Sequence, residues 1–427
     1  MKVMDIEEVA KIAQEQIDKE NAGNPSIKKM MKVVKEFIQQ HRVMCYGGTA
    51  INNLLPPEDQ FYDFSVDIPD YDFFSETPQM HAAKLADRLA KVGFGSVEVK
   101  PGVHLGTFKV FADYIGVADI SHLDKPIFQK LWEGSIEKDG MHYVPPNYLR
   151  MAVYLELSRP KGDVSRWKKV YNRLQKLNKA HPLVCPKEDD TPALFLTDEV
   201  REEIKNKLKE HKVVLLGFNA SMLQTTLKGS KKWMLPLDIL SVPEQRQKVV
   251  TDFKTYFDQF GKIKVTENPA YGELLPPHSD IVESKSGTLL MRVYETNACH
   301  SYNESPSGLY VASVPTLLQF FLAVLYASKD FKDPFPEQRF LCTAEHLINV
   351  ANEKIKRRYQ VLTPITCLGK QPSLIDMRAE KSELYNKLSS NRNSREFMEL
   401  FFTYTPTDLN TTQRQKVRRS LRKTLKH

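Results

Sequence analysis

The sequence has no uninterrupted apolar run approaching the ~18–20 residues that a membrane-spanning helix needs. Its best stretch, residues 317–326, is too short and contains Gln319. The opening MKVMDIEEVAKIAQ lacks an apolar core, so no secretory signal is expected. The five cysteines, Cys45, Cys185, Cys299, Cys342 and Cys367, never form a CxxC pair, and their number is odd. That argues against a zinc ribbon and a disulfide framework and predicts a reducing compartment. The phosphate-loop pattern GxxxxGK[ST] is missing: Cys367-Leu368-Gly369-Lys370 has neither the leading glycine nor the Ser/Thr. Gly93-Phe94-Gly95 opens a dinucleotide fingerprint, but Glu98 stands where its third glycine belongs.

What is present fits a soluble folded chain. Hydrophobic residues make up 41% and charged residues 27% of 427 positions, enough for two or three domains. A net charge of +8 favours a polyanionic partner. Residues 411–427 carry Arg414, Lys416, Arg418, Arg419, Arg422, Lys423 and Lys426 and no acid. Such a tail can follow a phosphate backbone or be a solvated terminus.

Helical periodicity runs through residues 5–20 and 27–41, separated by the turn Asn24-Pro25-Ser26. Val43-Met44-Cys45-Tyr46 reads as a short strand that ends in Gly47-Gly48 and opens a helix at Thr49. A strand is expected over 68–75, a helix over 79–92, strands over 97–100 and 107–120, and helices over 147–157 and 164–177. Residues 187–197, with acids Glu188, Asp189 and Asp190, read as a loop or linker.

This order returns later in the chain. Val213-Val214-Leu215-Leu216-Gly217-Phe218-Asn219-Ala220 echoes residues 43–50, and Leu235-Pro236-Leu237-Asp238-Ile239-Leu240-Ser241 echoes 68–75. Residues 292–301 echo the strand holding Asp119, and the helical 317–326 echoes 147–157. The offsets are 170 (217 against 47), 166 (238 against 72) and 180 (299 against 119). A duplication follows, in which Phe218 replaces Gly48, Pro236 replaces Asp70 and Cys299 replaces Asp119.

Asp70 and Asp72 are two residues apart, so in a strand both carboxylates face one side. Like charges that close are costly unless cations share them, as paired divalent metals do at phosphoryl-transfer sites. Asp119, in the apolar run 115–120, is the candidate third carboxylate, with Asp113 in reserve. Gly47-Gly48 lets backbone amides and a helix N-terminus approach a triphosphate, and Thr49 adds a hydroxyl. Read singly, each is an ordinary turn or surface residue; the ordered set points to nucleotidyl transfer.

These residues resemble the DNA polymerase β-like nucleotidyltransferase superfamily. The longer strings Tyr46-Gly47-Gly48-Thr49-Ala50-Ile51-Asn52-Asn53, Ile68-Pro69-Asp70-Tyr71-Asp72-Phe73-Phe74-Ser75, Tyr148-Leu149-Arg150-Met151 and the run 157–167 resemble poly(A) polymerase catalytic subunits of large nucleocytoplasmic DNA viruses. Residues 297–303 and 376–380 are similar to downstream strings of that family. The spacing of 22 residues from Gly48 to Asp70 exceeds that of many superfamily members and implies an insertion at 56–65.

The resemblance implies an α+β fold, duplicated, with a degenerate second copy and helical additions. It divides the chain into 1–40 (helical), 41–145 (catalytic), 146–200 (helical linker), 201–340 (degenerate copy) and 341–427 (C-terminal region with basic tail). It implies a template-independent poly(A) polymerase, a polynucleotide adenylyltransferase using ATP and two Mg²⁺ or Mn²⁺ ions, with an RNA 3′ hydroxyl as nucleophile. Asp70, Asp72 and Asp119 become the metal ligands, and Gly47, Gly48 and Thr49 meet the nucleotide. Arg150, Arg159, Lys161 and Arg166 are candidate phosphate or RNA contacts. It further implies a homodimer or a separate viral processivity subunit, and action in the host cytoplasm, a virus factory or the virion, away from membranes. Rival readings are a terminal uridylyltransferase, an oligoadenylate synthetase, a CCA-adding enzyme, a toxin-type nucleotidylating enzyme or a non-catalytic RNA-binding scaffold.

Overall fold

The structure, a computed structural model, describes residues 5–63, 65–187, 189–225, 232–327, 331 and 333–425. Glu188 and Lys426 lie outside the described residues. The chain forms two compact units, Met1–Pro145 with Leu374–His427, and Pro146–Ser373.

In the first unit, α1 (Ile6–Gly23) and α2 (Pro25–Gln40) meet at Asn24, whose side chain accepts from the Ser26 amide at 2.8 Å and caps α2. Ile27, Met30, Val34, Phe37 and Ile38 recur at helical spacing and are buried. Then follow β1 (Met44–Cys45), α3 (Gly47–Leu54), β2 (Asp72–Ser75), α4 (Pro78–Val92), β3 (Val97–Pro101), β4 (Thr107–Ala112), β5 (Ile115–His122), α5 (Lys125–Glu133), β6 (Ile136–Lys138) and β7 (Met141–Tyr143). The seven strands make one sheet in the order β3-β4-β5-β2-β1-β7-β6.

The expected strand over 107–120 is a hairpin. Asp113 and Tyr114 both take positive φ (45° and 68°), a turn that needs no glycine when the first residue is Asp. Asp113 therefore sits in the bend, its carboxylate accepting from the Ser96 amide at 3.0 Å, and is no alternative to Asp119.

The second unit opens with α6 (Pro146–Leu157), α7 (Trp167–Ala180) and α8 (Asp198–Glu210). It continues through β8 (Val214–Leu216), α9 (Gly217–Leu223), β9 (Leu237–Ser241), α10 (Pro243–Phe257), β10 (Ile263–Asn268), β11 (His278–Glu283), β12 (Leu289–Glu295), β13 (His300–Glu304), β14 (Tyr310–Ala312), α11 (Val314–Val324), α12 (Glu337–Ala351) and β15 (Cys367–Leu368). Its sheet order is β10-β11-β12-β9-β8-β14-β13-β15. Apart from β15, this is the first sheet strand for strand, down to which neighbours run parallel (β2·β5 and β9·β12; β1·β7 and β8·β14). The α+β class and the duplication expected from the sequence are both present.

Two cysteine pairs lie at disulfide separation, Cys185–Cys342 (Cα–Cα 4.4 Å) and Cys299–Cys367 (5.2 Å). This corrects the expectation of no disulfide framework. The partners are 157 and 68 residues apart, so only the tertiary fold joins them and local spacing carries no trace. Cysteine usage accordingly says nothing about compartment. Cys45 alone is free and buried, its thiol pushed up to about 12 by burial and then by the Asp72 charge.

The chain returns to the first unit through α13 (Leu374–Leu388), α14 (Arg395–Phe401) and α15 (Thr411–Thr424). Tyr404 extends β3 by paired backbone bonds with Val99 at 2.7 and 3.1 Å. Among the described residues, no helix is long and apolar enough to cross a membrane.

Candidate active site

β2 and β5 run side by side in parallel, and the pairing sets Asp72 directly opposite Asp119. Neighbouring strands lie roughly 4.8 Å apart, so the two carboxylates issue from adjacent backbone positions on one face. Alternation does the sorting: Phe73 and Ile120 are fully buried on the other face, Asp72 and Asp119 are not. Backbone bonds tie the row together, Asp119 N–H to the Tyr71 carbonyl and Tyr46 N–H to the Asp72 carbonyl, both 3.0 Å.

Gly47 abuts this pair. Its φ is +72°, and a Cβ there would lie 2.9 Å from Asp72 Oδ2, so both backbone conformation and space demand glycine. Gly48 follows at the start of α3, whose first-turn amides carry the positive end of the helix dipole. Thr49 is 2% exposed, and its hydroxyl donates to the Asp70 carbonyl at 2.5 Å. Thr49 thus holds the segment that leads into β2.

Asp70 lies in that extended segment, two residues before β2 begins, and is exposed. Among the described residues, no three His, Cys, Asp or Glu side chains close into a metal-holding group. The structure brings together Asp72, Asp119 and Gly47; Asp70 adjoins them through its backbone. The donor chemistry fits a hard divalent cation, namely adjacent carboxylates beside a glycine cradle that a side chain would fill.

Lys109, which no motif marks, joins the site. It sits opposite Asp119 on β4, and its ammonium pairs with the Asp119 carboxylate. The alternation of Thr107, Lys109 and Phe111 against buried Phe108, Val110 and Ala112 was the available signal. One row further along, Ser121 Oγ lies 2.9 Å from both Tyr46 Oη and Thr107 Oγ1, and the Tyr46 ring stacks on Phe74 at 4.0 Å.

The second unit repeats the frame with different chemistry. Gly217 has φ +66°, and a Cβ there would overlap Asp238 Oδ2, as at Gly47 and Asp72. The residue opposite Asp238 on β12 is Arg292, which corrects the alignment of Cys299 with Asp119. Cys299 lies past β12 and is bonded to Cys367. Arg292 is 1% exposed and reaches Asp280 and Asp333 at 3.0 Å and Asp238 at 3.7 Å. Burial opposes its charge, but Tyr294, Asp238, Asp333 and Asp280 together raise its pKa well above the ordinary value. Burial also lifts Asp238 to about 7, against the pull of Arg292. Phe218, in the place of Gly48, packs among Phe321, Phe335 and Phe340 at 5.1–5.2 Å. The remaining cavity, about 20 Å³, has room for one water.

The four basic candidates belong to the second unit. Arg150 is 1% exposed, its guanidinium donating to Asn178 at 2.7 Å and Asn147 at 2.5 Å, with burial lowering its pKa to about 10. It braces α6 and α7 from inside, and at 1% exposure it is not open to RNA or phosphate, which corrects its reading as a candidate contact to either. Arg159 is largely buried, Arg166 pairs with Glu156 at 3.4 Å, and Lys161 is open to solvent.

The stretch holding Gly47, Asp72 and Asp119 is also the one that matches a known family. Residues 32–163 match the family described as Poly(A) polymerase catalytic subunit. The resemblance read from the motifs is borne out. A protein of Acanthamoeba polyphaga mimivirus described as a poly(A) polymerase catalytic subunit is 29% identical over 194 residues, 44% of this chain and 32% of that protein. One of African swine fever virus, described in the same words, is 30% identical over 171 residues, 39% and 36% of the two chains. The chain thus spans about a third of the length of these relatives. The crystal structure of the Megavirus polyadenylate synthase matches at TM-score 0.77 and 20% identity, covering 98% of this chain and 88% of that one. That likeness shows that the two chains share a fold over nearly the whole length of this one.

Proposed function

We propose that the protein is a template-independent poly(A) polymerase that transfers AMP from ATP to an RNA 3′ hydroxyl. The observation that carries this is the Asp72–Asp119 pair, in register on parallel strands against Gly47, within the segment that matches the family. In the reaction the 3′ oxygen bonds to the α-phosphorus, the bond to the bridging oxygen breaks, and pyrophosphate leaves. The Asp119 carboxylate, exchanging its Lys109 partner, takes up the hydroxyl proton. Gly47, Gly48 and the first-turn amides of α3 receive the triphosphate, while Thr49 holds the approach to Asp70. Asp70, Asp72 and Asp119 would hold Mg²⁺ or Mn²⁺, which supplies charge neutralisation of the triphosphate and acidifies the hydroxyl.

The viral relatives support action on viral transcripts, in the host cytoplasm, a virus factory or the virion. The words "catalytic subunit" in their descriptions favour a partner, either a second copy or a processivity subunit.

The test is extension of a labelled RNA primer with each nucleoside triphosphate alone, by the parent and by Asp70→Ala/Asp72→Ala. Extension by ATP, lost in the double variant, is the expected result. Preference for UTP would make the enzyme a terminal uridylyltransferase, and undiminished extension by the variant would end the proposal.

A further inference from the structure

The basic tail is a docked helix. Asn410 and Gln413 close a capping box at its start, and Leu421 and Leu425 are buried, at 0% and 9% exposure. Arg418 forms an ion pair with Asp87 of α4 at 2.8 Å, and the other Asp87 oxygen accepts from Tyr404 at 2.6 Å. Arg414, Arg418 and Arg422 recur every four residues, roughly 6 Å apart along one side of α15. Lys84 and Arg88 are spaced alike on α4, with the Arg88 guanidinium fixed 5.1 Å above the Phe37 ring.

These cations crowd one another. Burial lowers the Lys84 pKa, and Arg422, Arg418 and Arg88 lower it further. His41, at the end of α2, is lowered by burial and, against the hydrogen bond of its ring to the Phe37 carbonyl, by Lys84 and Arg88. Among the described residues, Lys84, Arg88, Arg419, Arg422 and Lys423 have no ion pair, and Asp87 is already engaged by Arg418. The fold therefore holds together like charges of which, among the described residues, Arg418 alone has an acidic partner; an outside polyanion would offset the remaining repulsion.

We propose that the α4–α15 face of the first unit binds the phosphate backbone of single-stranded RNA. The choice of RNA among polyanions rests on the nucleotidyl-transfer reading; the basic face does not. An anionic membrane fits less well, because a helix lying on lipid exposes an apolar face, whereas the apolar Leu421 and Leu425 of this segment point inward.

The experiment uses the full chain and a 20-nucleotide RNA, with fluorescence anisotropy recorded in EDTA without nucleotide over a series of salt concentrations. Arg419→Gln/Arg422→Gln/Lys423→Gln leaves the Arg418–Asp87 anchor intact. Removing three phosphate contacts weakens binding on the order of tenfold and reduces the log–log salt slope by about 2. Lys84→Gln/Arg88→Gln, on the other helix, weakens it in the same direction, with unchanged circular dichroism confirming the fold. An unchanged dissociation constant for either set overturns the proposal. So does a triple variant that loses sedimentation with phosphatidylserine vesicles yet keeps RNA. With neither metal nor nucleotide present, failure here leaves the transfer reaction untouched, and failure of the reaction leaves this binding result standing.

Discussion

Arg292 faces Asp238 across β9 and β12 in the register in which Asp119 faces Asp72 across β2 and β5. One frame thus holds a half-exposed carboxylate pair in the first unit and a buried guanidinium among three carboxylates in the second. In the second copy the cation is part of the chain, and Phe218 closes the approach beside it. The proposed chemistry accordingly falls to the first copy.

Arg292→Met leaves Asp238, Asp280 and Asp333 without their shared counter-charge. Breaking a buried pair this way costs about 3–5 kcal/mol. Denaturant unfolding should show a loss of that size; a loss below 1 kcal/mol would contradict the role given to Arg292.

Asp238 also predicts a pH dependence. Its folded pKa, about 7, lies above the ordinary 3.8, so the folded state binds more protons between those values. Its contribution is fully present below about pH 4 and is lost as pH rises through 7. Asp238→Asn should flatten the fall in melting temperature over that window.

Gly47→Ala forces an L residue to φ +72° and drives a methyl against Asp72. The backbone penalty is about 1–2 kcal/mol, and displacement of the carboxylate should abolish nucleotide incorporation. Gly217→Ala carries the same strain without touching the proposed site, so its melting temperature should fall while residual incorporation per folded molecule stays near that of the parent.

Lys109→Gln frees Asp119 from its ammonium partner. If the ammonium competes with the cation, the half-saturating Mg²⁺ concentration in primer extension should fall several-fold. A rise would show that Lys109 helps hold the triphosphate instead.

The sequence made the local elements legible because each obeys a short-range rule. The apolar positions of α2 recur at helical spacing, and Gly47 marks a turn that only glycine fits. What escaped was set by pairing between distant strands. Constant offset placed Cys299 against Asp119, but strand register, which no single segment encodes, places Arg292 there. Lys109 reads as a surface lysine until β4 is laid beside β5. The hairpin bend at Asp113-Tyr114 lacks the glycine that would have divided the run, and no compositional shift marks the return of residues 374–427 to the first unit.

The Asp72–Asp119 pair carries the proposed transfer of nucleotides to RNA. Single-turnover incorporation of labelled AMP onto an RNA primer, comparing the parent with Asp72→Asn and Asp119→Asn at matched melting temperature, tests it most directly. Losing charge stabilisation worth several kcal/mol should slow both variants by at least on the order of a thousandfold. Rates within threefold of the parent would show that the pair is not catalytic.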